Sequence, residues 1–250
     1  MSLRPRTAPE LVDAAVSLAR ASYGWLITIG AFAYLPVAIV RVIGLRPSED
    51  TTPQAVDLFL TVYDMVWISL GWAAMMVLLG QRYLGASADL ASAIRAVHRD
   101  AWRITVLSVS TAFVTLVGLV LFILPGLYFM VRFFAIPQTL LFERNTMRDA
   151  FIRSLWLSRH DQKRLAVTAL ITLGANLATL WGLGAAIRPM LPAQWHADLI
   201  AGAVQLFIQP FFAAVWLLFY FDVRMRVEGL DVTRALDAHG RTSDRESRHG

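Results

Sequence analysis

Asp64 and Arg132 are the residues with the clearest capacity for chemistry, because each interrupts a long apolar run. A charge at the centre of a membrane costs about 2.5 to 3.5 kcal/mol on insertion scales, so each needs a partner or water. Counted from the predicted outer ends of their runs, both lie about 9 Å deep. We therefore predict an ion pair between these runs. A pair that fixes helix register, a substrate or proton site, and contact with outer water all remain open interpretations.

Uncharged polar side chains accompany the two charges. Gln205 and Gln209 lie one helical turn apart in the last apolar run. With polar residues of the second and fourth runs they would line a cavity that opens outward. Hydrogen bonds between helices, worth about 0.6 kcal/mol each, would explain the same residues without a ligand. Both interpretations stay open.

Known catalytic patterns are absent from the sequence. There is no cysteine, which excludes thiolate chemistry, disulfides and Cys-based zinc or iron-sulfur sites. The five histidines show no metal-ligand spacing, and no nucleophile elbow, P-loop or dinucleotide fingerprint occurs. We therefore predict no catalytic residue, no metal and no cofactor, and a protein that is not an enzyme.

The composition indicates a membrane protein. Hydrophobic residues make up 57% of the 250 and charged residues 16%, against about 25% charged in ordinary soluble domains. Apolar runs long enough to cross a bilayer recur six times. We predict an all-α, polytopic membrane domain over residues 1–232, with spans at about 21–40, 58–79, 104–124, 126–142, 165–187 and 199–221. Residues 233–250 are predicted to form a largely disordered tail, since they have little apolar surface to bury.

A short amphipathic helix is predicted before each pair of spans, on the cytoplasmic side. Thr7 with Glu10, and Thr146 with Asp149, have the spacing of capping boxes. The apolar positions of the three helices are Leu11, Ala14, Ala15 and Leu18; Leu90, Ala93, Ile94 and Val97; and Met147, Phe151, Ile152 and Leu155. Similar spacing at offsets of 79 and 58 residues suggests three repeats of one helix followed by a hairpin. Any amphipathic helix before a span would give a similar match, so chance similarity stays open.

The basic residues predict the orientation. The predicted cytoplasmic segments hold 19 of the 23 lysines and arginines, and the predicted outer loops hold three. By the positive-inside rule, both termini face the cytoplasm of a bacterial-type plasma (inner) membrane. Because the basic residues flank apolar runs, no nucleic-acid partner is predicted. They either anchor the protein or handle anionic lipid specifically, and the candidates for headgroup contact are Arg95, Arg99, Arg148, Arg153, Lys163 and Arg164.

Several short motifs resemble a known family. The turn at residues 124–126 (Leu-Pro-Gly), Arg132, Glu143, the segment 150–154 and the exit Asp222, Arg224, Glu228 and Gly229 are similar to the bacterial six-span membrane domain of glycerophosphoryl diester phosphodiesterases and its uncharacterised stand-alone relatives. The resemblance covers residues 80–232 well and the first 80 only by topology. It implies a six-span membrane domain without the soluble catalytic barrel, which needs about 250 further residues.

The sequence leads to two functional hypotheses. The first is a noncatalytic membrane module, an accessory or scaffold that contacts lipids or a partner membrane protein. The alternative is a small transporter or lipid-handling permease that uses the region of Asp64 and Arg132. A polar cavity open to the outside would favour transport, and a dry, packed centre would favour the module.

Overall fold

The computed structural model describes residues 7–40, 54–87, 89–190 and 194–229, and this part of the chain is helical without strands. The predicted tail, most of the first outer loop and the extreme N-terminus lie outside the described residues. The helices are α1 (Ala8–Ala21), α2 (Tyr23–Ile39), α3 (Gln54–Tyr83), α4 (Leu90–Leu121), α5 (Ile123–Phe133), α6 (Ile136–Phe142), α7 (Met147–Ser158), α8 (Gln162–Leu177), α9 (Leu183–Ile187) and α10 (Gln194–Glu228). The predicted all-α class is confirmed for these residues.

Four stretches of helix are long and apolar enough to cross a membrane: Phe59–Tyr83, Leu90–Leu121, Leu124–Phe142 and Ala203–Glu228. A fifth is reached if α1 and α2, which meet at a bend of 79°, count as one span. The predicted fifth span, 165–187, corresponds to α8, a π-helical turn (Ala178–Gly182) and α9. Its longest regular helix, α8, has 16 residues. The structure therefore supports four to five spans by length and composition.

The core surrounds the second half of α10. Its residues from Ala213 to Phe221 are mostly buried, and α10 packs against α1, α2 and α3. Leu11, Ala15 and Leu18 of α1 are buried and point at this core, so the predicted apolar face of α1 is confirmed at three of its four positions. That face is covered by protein. The first predicted interfacial helix is thus a packed element of the core.

The second predicted interfacial helix does not form a separate element. The amphipathic segment and the third predicted span make one helix, α4, of 32 residues. Its N-cap is Asp89, whose carboxylate accepts hydrogen bonds from the backbone N–H groups of Ala91 and Ser92, and no glycine or proline interrupts the helix between Leu90 and Val117. Of the predicted apolar positions of this segment, Ala93 and Val97 are buried, whereas Ile94 is exposed. Only 11% of the most apolar 18-residue stretch of α4 is buried, so most of this stretch does not contact the rest of the protein.

The turn between α4 and α5 lies a few residues before its predicted position. The break occurs at Phe122, whose backbone is extended, and Pro125 and Gly126 belong to the first turn of α5. Proline is tolerated there because its missing N–H would have no partner in any case. A Cβ atom on Gly118 would lie 2.9 Å from the Cα of Gly126, and one on Gly126 would overlap Leu119. The two helices therefore approach as closely as only glycine allows.

The helix ends that carry basic residues meet at one end of the molecule. Tyr83, at the end of α3, contacts Phe221 of α10, and Phe142, at the end of α6, contacts Tyr220. Arg164, at the start of α8, reaches Asp222. This arrangement agrees with the predicted clustering of these segments on one side of the membrane.

Candidate functional site

A break in the fourth predicted span is the starting point of the polar site. α5 ends at Phe133 and α6 begins at Ile136, with Pro137 in the first turn of α6. Proline lacks the N–H that would bond the carbonyl of Phe133, and its ring clashes with that carbonyl. In a membrane such a break must be satisfied by other protein groups, because the hydrocarbon offers no hydrogen bonds.

Ser154 of α7 supplies partners for two other backbone groups at the break. Its hydroxyl accepts a hydrogen bond from the N–H of Ala135 at 3.1 Å and donates to the carbonyl oxygen of Arg132 at 2.8 Å. Ser154 is fully buried. One hydroxyl thus satisfies a donor and an acceptor that the broken helix leaves open.

Small residues let α7 lie close against α5 and α6. Ala150, Ser154 and Ser158 recur every four residues and are all buried, which is the small-xxx-small pattern of close helix pairs in membranes. Thr139 of α6 donates to the carbonyl of Ala150 at 3.3 Å. Hydroxyl groups and backbone together fasten the three helices.

Two of the four apolar positions predicted for α7, Phe151 and Ile152, are exposed, because the close approach to α5 and α6 requires small residues at the interface. The predicted cap is confirmed, since the hydroxyl of Thr146 accepts from the N–H of Asp149 at 3.2 Å. A soluble amphipathic helix buries its apolar face, whereas α7 buries small and polar residues and exposes apolar ones.

Arg132 binds the C-terminal end of α7. Its Nη1 donates to the carbonyl oxygen of Leu155 and to the hydroxyl of Ser158, both at 2.9 Å, and its side chain is buried. The guanidinium also lies 5.8 Å from the ring centre of Tyr128. A cation at a helix C-terminus is favourable because the unpaired carbonyls carry partial negative charge.

The predicted ion pair with Asp64 is not formed. Within the described part of the chain, all hydrogen bonds of Arg132 go to α7, and Asp64 on α3 has an interaction of its own. The sequence argument placed the two charges at one depth but had no means of placing them on facing helices. The end of α7 provides carbonyl and hydroxyl oxygens directly beside Arg132 and so replaces the carboxylate.

Four charged side chains form a closed ring where α6, α7 and α10 meet. Arg153 binds Glu143 at 3.0 Å and also pairs with Glu228. Arg224 closes the ring, at 3.0 Å from Glu228 and 3.5 Å from Glu143. The hydroxyl of Tyr220 donates to Glu143 at 2.7 Å. We call these four charged residues the ion-pair ring. Its charges alternate and balance, so it fastens the end of α10 to the α6–α7 connection.

A second charged cluster lies at the start of α8. Asp222 is buried and accepts hydrogen bonds from Arg164 at 3.0 Å and from Arg226 at 2.9 Å. Arg164 also binds Asp161 at 3.0 Å. A buried carboxylate is tolerated when charged donors surround it. The cluster joins α8 to α10 through side chains of both signs.

The predicted glutamine pair belongs to an amide cluster between α8 and α10. Gln209 donates to the side-chain oxygens of Asn176 and Gln205, each at 3.2 Å, and Gln205 reaches the carbonyl of Asn176 at 3.4 Å. Beside Gln209 lies a cavity of about 10 Å³, lined also by Ala33 and Met75. This volume is at the lower limit for a single water molecule.

The structure divides the predicted headgroup contacts into two groups. Arg153 and Arg164 bind carboxylates inside the protein, as described above, and Arg99 binds Asp100 at 3.0 Å. Arg95 lies 3.8 Å from Asp89. Arg148 and Lys163 are exposed and have no acidic partner among the described residues. These last two are therefore the predicted candidates whose charge no neighbouring carboxylate offsets.

The chain matches no protein-family model, no curated protein and no solved structure. The resemblance to the six-span membrane domain therefore stays a prediction. In the structure several of its motif residues belong to the clusters described above: Arg132 and Ser154 lie at the helix break, whereas Glu143, Arg224 and Glu228 belong to the ion-pair ring.

Sequence reasoning missed several members of these clusters. Ser158, Tyr220 and Asn176 were not predicted to take part, although each makes a hydrogen bond that joins two helices. The four-residue spacing of small residues in α7 was the available signal for Ser158. Among the described residues, no three histidine, aspartate or glutamate side chains come together as a metal site would require.

Proposed function

We propose that this protein is a noncatalytic integral membrane module, an accessory or scaffold whose polar residues hold its own helices together. The observation that carries the proposal is the binding of Arg132 to the end of α7. The most costly cation in the apolar runs is engaged by backbone and hydroxyl oxygens of the same chain. Its hydrogen bonds join α5 to α7, so it is not free to bind a substrate.

Three further clusters support the same role. The ion-pair ring contains equal numbers of positive and negative charges. The amides of Gln205, Gln209 and Asn176 hydrogen-bond one another. The neighbouring cavity has room for about one water molecule. A site for a solute would need a larger space with polar groups directed into it.

The second candidate is a small transporter or lipid-handling permease, which the interrupted helices favour. α5 and α6 are separated by a break, a π-helical turn follows α8, and Pro210 lies within α10. Discontinuous helices build the substrate sites of many transporters. In this candidate the amide cluster and Asp64 would contact the solute.

Access of water to the cavity separates the two candidates. Because the chain has no cysteine, single-cysteine variants report one position each. Ala33→Cys and Met75→Cys place a thiol at the cavity wall, and Ser87→Cys places one at an exposed turn. A thiol reacts as the thiolate, which needs water around it.

In sealed vesicles, a membrane-impermeant thiol reagent should modify Ser87→Cys from one side and neither cavity variant from either side. Modification of Ala33→Cys or Met75→Cys from one side of the membrane, at a rate approaching that of Ser87→Cys, would reject the packed module and favour transport.

The proposal includes a full topology of six spans in three hairpins, with both termini in the cytoplasm of a bacterial-type plasma membrane. At about 1.5 Å per residue, residues 162–187 would cover about 39 Å, more than the hydrocarbon core of about 30 Å. α8 with α9 is therefore long enough to serve as the fifth span. The clustering of basic helix ends supports the orientation.

A further inference from the structure

The outer face of α7 carries cations that the rest of the protein leaves unused. The exposed residues are Arg148 on the helix, Arg159 at its C-cap, Arg144 in the connection before it and Lys163 in the first turn of α8. None of the four has a carboxylate partner in the described ranges. The one exposed acid of α7, Asp149, accepts a hydrogen bond from Thr146 at 2.6 Å. This surface therefore has a net positive charge.

An apolar strip separates these cations. Phe151, Ile152 and Trp156 are 37%, 52% and 39% exposed, although α7 is packed on its opposite side against α5 and α6. At 100° per residue, Arg148, Ile152 and Arg159 project from one side of the helix, opposite the buried small residues. The two arginines lie about 16 Å apart along the axis, with Ile152 between them.

Cations that border an apolar strip fit the boundary between lipid headgroups and acyl chains. Long basic side chains extend to phosphate groups while large apolar residues contact the chains below them. This surface favours lipid over a protein partner. A cation lies at each end of the apolar strip, which is the arrangement found in helices that lie at a bilayer surface.

On the basis of the membrane module proposed above, we propose that the outer face of α7, with the connection before it and the start of α8, forms a binding surface for anionic phospholipids of the cytoplasmic leaflet. Arg148 and Arg159 bind the phosphodiester headgroups, with Arg144 and Lys163 nearby. Phe151, Ile152 and Trp156 contact the acyl chains. Arg95 and Arg99 of α4, which lie 3.8 Å and 3.0 Å from carboxylates of the same chain, are not part of this surface.

The test compares lipids around two labelled positions. Ile152→Cys and, as a control on α4, Ile94→Cys are equally exposed, at 52% and 51%. Each carries a fluorophore in vesicles of phosphatidylglycerol and phosphatidylcholine, one of which bears a quenching spin label on its acyl chain. The ratio of quenching by the two lipids gives the local enrichment. We expect about five-fold enrichment of phosphatidylglycerol at position 152, the factor for one basic residue near an anionic surface, and a ratio near one at position 94.

Two matched double variants assign the enrichment to the free cations. Arg148→Gln with Arg159→Gln should bring the ratio at position 152 to near one. Arg95→Gln with Arg99→Gln removes the same net charge from α4 and should leave the ratio unchanged. High salt should reduce the enrichment in the parent protein.

Other outcomes overturn the proposal. Equal quenching by both lipids at position 152, or enrichment that survives Arg148→Gln with Arg159→Gln, excludes a specific role of these cations. A label at position 152 that neither lipid quenches does not contact acyl chains, and either water or a protein partner then covers this face. Each result leaves the cavity-access test intact, so this proposal can fail while the membrane module stands.

Discussion

One hydroxyl group bonds two backbone groups at the break between α5 and α6. Ser154 satisfies both the N–H of Ala135 and the carbonyl of Arg132 while buried from solvent. A buried polar group without a partner costs about 1 to 3 kcal/mol, more than a hydrogen bond contributes when it is made. The serine therefore matters chiefly through what its removal would leave unsatisfied.

Ser154→Ala should destabilise the protein by about 1 to 3 kcal/mol, because two buried backbone groups lose their partner and the small side chain creates no clash. Ser110→Ala, at an exposed position of α4, is the matched control and should change stability by less than about 0.5 kcal/mol. Thermal or denaturant unfolding in mild detergent measures both. Equal effects of the two substitutions would refute the role of Ser154.

Arg132 should couple energetically to Ser158 and not to Asp64. The contacts at the end of α7 predict an interaction energy of about 0.5 to 3 kcal/mol between Arg132→Gln and Ser158→Ala in a double-mutant cycle. The corresponding cycle with Asp64→Asn should be additive within about 0.5 kcal/mol. A large coupling between Arg132 and Asp64 would restore the ion pair that the sequence suggested.

The closest contacts between helices occur at glycine, alanine and serine residues. α4 and α5 meet at Gly118 and Gly126, and α7 meets α5 and α6 at Ala150, Ser154 and Ser158. In lipid, helices gain little from hiding apolar surface, so close van der Waals contact and interhelical hydrogen bonds hold them together. Small residues permit both.

Gly118→Ala should destabilise the α4–α5 hairpin by about 1 to 3 kcal/mol, because the added methyl group meets the backbone of Gly126 at 2.9 Å. Gly174→Ala is the control, since a Cβ on this glycine of α8 meets nothing within 4 Å. That change should be neutral or stabilising by up to about 1 kcal/mol. Unfolding in detergent compares the two, and a neutral Gly118→Ala would contradict the close approach.

The sequence predicted the elements better than their contacts. Apolar run length located the helices, and capping residues such as Thr146 located the start of α7, because both signals are local. The apolar pattern marked Phe151 and Ile152, but it could not tell whether their face meets protein or lipid. It failed for Arg132 because the partner, the end of α7, is recognised only after the helices are placed.

In the part of the chain that the structure describes, the clusters of paired charges lie at one end of the molecule. The ion-pair ring and the cluster around Asp222 tie α6, α7, α8 and α10 together there, whereas the last part of α4 and the start of α5, residues 113–128, expose mainly apolar side chains. Pairing of most charges within the protein keeps their cost low at the membrane boundary. The few cations without a carboxylate partner then distinguish one end of the molecule from the other.

Cysteine labelling in intact cells tests the proposed orientation. An impermeant thiol reagent should label Met190→Cys, an exposed position after α9, from outside. It should label Ser87→Cys, in the exposed turn between α3 and α4, only after the membrane is permeabilised. The physical reason is the positive-inside distribution of basic residues. The reverse labelling pattern would require the opposite orientation.

The repair of the broken span by a later helix has a consequence for biosynthesis. Ser154 follows Ala135 by 19 residues, so the chain that enters the bilayer during translation contains the break before it contains the group that completes it. Unsatisfied backbone groups are costly in hydrocarbon. We therefore expect the insertion machinery to retain α5 and α6 until α7 has emerged from the ribosome, and to release the three helices into the lipid as one unit.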